Sequence, residues 1–226
     1  MKTLKKYLLL SLVLSALISC SKDDKDPVAN NVTLHFNNTF KSNTIVLGNA
    51  TSTTATANTS AEGQVHHFSE LKYVISNIRL IKADGTEIPY NINDLDKGAT
   101  VVNQAKTETL DYTLSNIPSG EYKQIKFGLG VKQELNTLDQ AKFPTFYATA
   151  GANETEMMWE WGTGYRFTKL EGFYDNDNKE MSIHTGSTVE GEEGAYTQGV
   201  DAYRDITLNL TSNAVVGRNA PKITIK

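Results

Sequence analysis

The chain is poor in the residues that do most thiol, metal and redox chemistry. Its 226 residues include one cysteine, four histidines, two tryptophans and five prolines. The lone cysteine, Cys20, excludes a disulfide framework and a thiolate metal site, and leaves the body of the chain without a thiol nucleophile. No basic block interrupts the body, and a net charge of −4 gives no electrostatic footprint for nucleic acid. The sequence also has no Gly-x-Ser-x-Gly, no glycine loop that would cradle a phosphate and no His-Glu-x-x-His, so nothing in it reads as an enzyme.

What remains is an ordinary globular composition, 39% hydrophobic and 21% charged. One domain with a short leader accounts for the length, and a domain of about 190 residues buries roughly 70% of its unfolded surface, so it needs no crosslink. Residues 1–20 begin with a positive segment, Met1-Lys2-Thr3-Leu4-Lys5-Lys6, followed by an apolar run from Tyr7 to Ile18. That run is too short to cross a bilayer as a mature helix and reads as a signal peptide. It ends in Leu17-Ile18-Ser19-Cys20, which resembles the lipobox of bacterial lipoproteins. The resemblance implies a diacylglycerol on Cys20 and an outer-membrane anchor facing the periplasm or the cell surface. Residues 21–31 carry the charged run Ser21-Lys22-Asp23-Asp24-Lys25-Asp26-Pro27, a composition that stays solvated and serves as a tether. The run also resembles the export signal of surface-exposed Bacteroidetes lipoproteins.

From residue 32 to 226 the pattern is β throughout. Val32, Leu34 and Phe36 alternate with Thr33 and His35; Leu110, Tyr112 and Leu114 repeat the pattern; Ile125, Phe127, Leu129 and Val131 share a face opposite Gln124, Lys126, Gly128 and Gly130. The paired glycines signal a bulge or a close backbone approach. Val65 to Ile81 is a long β-rich run closed by the turn Ala83-Asp84-Gly85. Residues 49–61, rich in Ser, Thr, Ala and Asn, have no apolar face and read as a mobile loop. Glu134 to Lys142 is compatible with a short helix stopped near Pro144. Lys222 to Lys226 reads as a strand broken off in mid-pattern, which points to a chain that continues. Many short strands with regular turns predict an all-β, single-domain antiparallel sandwich.

The stretch Met157 to Gly172 holds both tryptophans. If it is extended, Met157, Trp159 and Trp161 share one side, with Met158 and Glu160 on the other. Such an array is either core or the wall of a site. His35 and His184 lie opposite the apolar faces of their strands, so pattern does not place them in the core; imidazole suits copper, zinc, nickel and iron, and soft neighbours favour Cu(I). His66 and His67 are adjacent and point to opposite faces, a poor arrangement for chelation. Asp175-x-Asp177 begins like a calcium loop, but Lys179, Glu180 and Gly186 break the ligand pattern.

Four segments in order resemble the MbnP-like copper-binding domain family. They are Leu71 to Leu80, Pro118 to Tyr122 with Phe127 to Val131, the Met157–Gly172 stretch, and Ile183-His184-Thr185-Gly186. The chain departs from the family pattern at Lys132, where Asp is common, and at Gly162, where Asn is common. The resemblance implies a secreted or lipid-anchored β-sandwich that binds copper with histidine help and carries a tryptophan oxidised to kynurenine, whose aromatic amine adds a ligand. Carried over by motif, His184 is the first histidine ligand and His35 the second. Trp159 and Trp161 are the candidates for oxidation, and Met158 is a soft contact. The expected partners are the membrane, through the lipid, and a copper ion. An alternative reading is a non-enzymatic surface lipoprotein that recognises a glycan or peptide, with the tryptophans as core or stacking platform.

Overall fold

The structure is a computed structural model. It describes residues 29–226, apart from 50, 137–138, 140, 152–154, 160–163, 176–178, 192–194 and 196. The leader, Cys20 and most of the tether therefore lie outside the described residues, as does Trp161.

The chain opens with β1 (Val32–Phe36), β2 (Thr39–Phe40), β3 (Asn43–Thr44) and β4 (Asn58–Thr59), then the 18-residue β5 (Val65–Lys82) and β6 (Glu87–Tyr90). A single turn of helix, α1 (Leu95–Gly98), precedes β7 (Thr100–Asn103), β8 (Asp111–Leu114) and β9 (Gly120–Leu129). Helix α2 (Pro144–Ala150) follows, then β10 (Thr168–Tyr174), β11 (Lys179–Thr185), β12 (Val189–Glu190), β13 (Thr197–Gln198), β14 (Arg204–Val216) and β15 (Lys222–Ile225).

Two sheets pack face to face. The larger has eight strands, with the path β11-β10-β5-β9-β14, and β4, β6 and β7 also pair with β5; the smaller is β15-β1-β8. The β-sandwich expected from the sequence is thus present. Its one departure from antiparallel pairing among the main strands is β1 with β15, which run parallel. Between the sheets lies the main core, including Val32, Leu34, Phe36, Ile75, Ile78, Leu80, Tyr122, Ile125 and Phe127. The opposite face of the large sheet is covered by α1, α2 and the segment that joins β9 to β10. There Val74, Val131, Phe146, Met157, Tyr165 and Phe167 form a second core.

Two backbone irregularities decide which face each residue serves. Strict alternation along β5 would put Ile75 and Ile78 on opposite faces, yet both lie in the main core. Asn77, in the left-handed region at φ 49°, absorbs the extra residue at a register shift between Ser76 and Arg79. Gly130, at φ 98°, does the same after β9, so Val131 enters the second core rather than continuing the face of Ile125 and Phe127. This corrects the shared face expected for Val131.

The structure differs from expectation in two further places. Pro144 starts a helix rather than stopping one: it occupies the first turn of α2, where a missing N–H costs nothing. Residues 58–59, expected in a loop without order, pair with β5, and Asn58 is buried with its side-chain amide donating to the carbonyls of Thr56 and His66.

Candidate functional site

In the tryptophan stretch, residues 157–159 and 164–166 form the two arms of a short irregular hairpin rather than a regular strand. Met158 bridges Tyr165, the Trp159 N–H donates to the Gly164 carbonyl, and the Arg166 N–H donates to the Met157 carbonyl. Asn136 closes the hairpin by accepting the Tyr165 N–H at 2.8 Å. Met157 is fully buried in the second core, and Trp159 is half-buried.

Trp159 lies against His184, with ring centroids 6.0 Å apart. Gly186 makes that approach possible, since a Cβ there would stand 2.8 Å from the Trp159 indole nitrogen. The Arg166 guanidinium caps the indole 4.5 Å from its centroid. That contact takes one of the two faces on which a sugar could stack.

His184 is fixed from the sheet side. Its Nε2 is 2.8 Å from Glu171 Oε1 and 3.3 Å from Ser182 Oγ. A carboxylate on one ring nitrogen orients the imidazole and leaves the other nitrogen to act as a ligand, the usual support of a metal-binding histidine. A cavity of about 330 Å³ opens beside Glu171 and Ser182, lined also by Ser69, Phe173, Glu180 and Met181.

Beneath the hairpin the sheet carries an ionic cluster that sequence reasoning missed. In the registers of β5, β10 and β11, Lys72 stands opposite Lys169 and Lys169 opposite His184, while Glu70 stands opposite Glu171 and Glu171 opposite Ser182. Like charges face each other across strands, which is unfavourable alone. Opposite charges around them offset it: Lys72 contacts Glu70 on its own strand, and Lys169 reaches Glu70 diagonally at 3.0 Å, Glu156 of the hairpin at 2.5 Å and Glu171 on its own strand at 3.7 Å. Lysine is rarely buried, yet Lys72 and Lys169 are 7% and 5% exposed. The one signal in the sequence was the mirrored pair Glu70-Leu71-Lys72 and Lys169-Leu170-Glu171.

The cluster links stability to pH on both sides. Burial pulls the Glu70 carboxyl up, but Lys72 and Lys169 together outweigh it and hold it below its ordinary 4.5. Burial likewise pulls Lys169 down, and Glu156 and Glu70 outweigh it, raising it above 10.5. A depressed carboxyl stabilises the fold above its unfolded value and loses that contribution as pH falls. A raised ammonium stabilises below 10.5 and loses its contribution as pH climbs through the folded value. Melting temperature is therefore expected to drop below about pH 4.5. Glu70→Gln should flatten that acid limb in a thermal scan by circular dichroism; an unchanged limb would remove Glu70 from the explanation.

The other histidines lie elsewhere. His35 is on the outer side of the small sheet, its Nδ1 2.6 Å from Asp111 Oδ1, and Asp111 also takes Lys222 at 2.9 Å. Its neighbours Leu34 and Phe36 point into the core between the sheets, whereas His184 shares the far face of the large sheet with Lys169. Packed sheets stand about 10 Å apart, so the two imidazoles cannot meet on one ion, whose ligands sit near about 2 Å. The expected His35–His184 convergence is corrected on that geometry. His66 stacks on Phe68 and Tyr174, and His67 stands opposite Phe173. Asp175 pairs with Lys179 at 3.6 Å, and Asp177 lies outside the described residues.

Residues 29–226 match the MbnP family model. The chain belongs to the MbnP family. Among solved structures it resembles MbnP from Methylosinus trichosporium, with a TM-score of 0.55 and 15% identity over 80% of this chain and 72% of that one. At that identity the likeness shows the shared fold. No curated protein matches the chain.

The donors fit a family copper ion on one side. His184 with its orienting Glu171 has the form of a ligand and its support, whereas an intact indole has no free in-plane lone pair to donate. Among the described residues no group of three or more His, Asp or Glu could hold a metal ion. His35 does not complete the set, and Trp161 lies outside the described residues.

Proposed function

We propose that this member of the MbnP family is a copper-binding protein of the cell envelope, anchored to the outer membrane through Cys20, that holds copper rather than catalysing a reaction. The reading rests on the family and on the copper site its resemblance implies. The single observation that supports it here is the seating of Trp159 against His184, with Glu171 holding the imidazole. In this reading His184 supplies the nitrogen ligand, and one of Trp159 and Trp161, as kynurenine, supplies the aromatic amine.

The test uses the full chain purified in detergent from its native membrane. Copper(I) is titrated against a chromophoric chelator, and the tryptophan peptides are examined by mass spectrometry. One copper retained per chain and a kynurenine mass on one peptide are expected. No retention, with both tryptophans intact, would end the copper reading. Labelled palmitate should enter the protein and be lost in Cys20→Ala; absence of label would end the anchoring reading.

A further inference from the structure

Lys169 stands where the two arms of the candidate site meet. Its ammonium is almost closed from solvent, with a side chain 6% exposed, and contacts three carboxylates. One of them, Glu171, is the carboxylate that fixes His184. Another, Glu156, begins the hairpin that carries Trp159.

Glu156 is not at rest in its backbone. It lies at φ 52°, a conformation side chains other than glycine seldom adopt without outside support. The support is cationic from three directions. Lys72 donates to the Thr155 carbonyl at 3.2 Å, Arg166 donates to the Glu156 carbonyl at 2.5 Å, and Lys169 pairs with the Glu156 carboxylate at 2.5 Å. Of these three, Lys169 is the one that also grips the His184 arm. Glu156 and Glu70 lie within hydrogen-bond distance of its ammonium, and Glu171 stands just beyond it at 3.7 Å.

We infer that Lys169 is the positioning residue that seats Trp159 against His184, through Glu156 on one side and Glu171 on the other. Without the ammonium, Glu70, Glu171 and Glu156 are left close together with one fewer counter-charge. Glu70 and Glu171 are direct cross-strand partners on β5 and β10, so their repulsion acts on the strand that pairs with β11, which carries His184. The Glu156 turn loses its side-chain anchor and the hairpin can lift. The inference concerns the seating itself; only its consequence for metal affinity rests on the copper reading.

The test compares full-length wild type, Lys169→Arg, Lys169→Met and Glu156→Gln. The first readout is the nuclear Overhauser cross-peak between the six-membered ring protons of residue 159, which tryptophan and kynurenine both carry, and the His184 ring, with amide shifts of β1 and β8 reporting on the distant sheet. The second is copper(I) affinity by chelator competition. Lys169→Met should lose the cross-peak while the β1 and β8 shifts stay in place, and should bind copper at least about tenfold more weakly, the scale of losing a group that supports a ligand. Lys169→Arg should keep both. Glu156→Gln severs only the hairpin side; it should weaken the cross-peak, and it decides the matter if Lys169→Met does not fold. A cross-peak that survives in Glu156→Gln and in any folded Lys169→Met overturns the inference. Loss of the cross-peak in proteins none of which, wild type included, binds copper upholds the seating role and removes the copper reading instead.

Discussion

On the copper reading, replacing His184 with alanine is expected to weaken copper(I) binding by about a hundredfold or more, and replacing His35 to leave it unchanged. Loss of a supporting group alone typically costs about 10–100-fold in metal affinity, so loss of the ligand sets that as a floor. The difference between the two histidines comes from their places in the sandwich. His184 has a carboxylate at 2.8 Å and an aromatic ring 6.0 Å away, on the face covered by the hairpin. His35 is bound into an Asp111–Lys222 pair on the outside of the other sheet. Chelator competition on the two single variants separates them. Equal losses would mean that both imidazoles reach one ion, which the two-layer geometry forbids; a loss confined to His35→Ala would move the site to the small sheet.

The second large effect is on stability. Gly130→Ala is expected to destabilise the fold by about 2–5 kcal/mol, the sum of about 1–2 for a left-handed residue and about 1–3 for overpacking. A Cβ at Gly130 would lie 2.3 Å from the Phe167 ring, and that ring is 1% exposed. The backbone has no room to yield. The Gly130 N–H donates to the Val74 carbonyl at 2.9 Å, and its own carbonyl accepts from Ser76 Oγ at 2.6 Å. For a chain of this size the fall in Tm is roughly 4–20 °C. Gly85→Ala is the matched control: Gly85 has φ 94°, close to the 98° of Gly130, but open space where its Cβ would stand. Calorimetry on both variants isolates the packing cost. If Gly130→Ala melts no lower than Gly85→Ala, the ring contact contributes nothing.

Much of the fold was legible in local pattern. Val32, Leu34 and Phe36 alternate because β1 has one face on the core, and the same rule places Ile125 and Phe127. The rule failed where one residue breaks the count. Asn77 and Gly130 each adopt a positive φ and reverse the faces of the residues after them, and alternation carries no mark of that reversal. The Gly128-x-Gly130 pair did announce a close approach, and the structure supplies the ring on each: Tyr203 at Gly128 and Phe167 at Gly130. Pro144 was misread because proline marks the start of a helix as readily as its end.

The candidate site was legible only in pieces. Trp159 and His184 could be named from motif, and Gly186 stood beside His184 in the same motif without showing that its missing side chain admits the indole. Lysine is rarely buried, and local pattern alone does not bury Lys72 and Lys169. They are buried because the hairpin closes over the sheet and brings Glu156 down to them, a contact between residues 13 positions apart in one case.

By itself, then, the sequence determined the strand pattern, the sandwich and the residue types available for metal binding, because each is written along the chain, and its motifs carried the resemblance to the family. The tertiary structure alone decided that His184 keeps company with Trp159 and Glu171 while His35 does not. Which strands end up in which layer depends on pairings between distant segments, and a layer of packed side chains about 10 Å thick separates what the linear pattern made look equivalent.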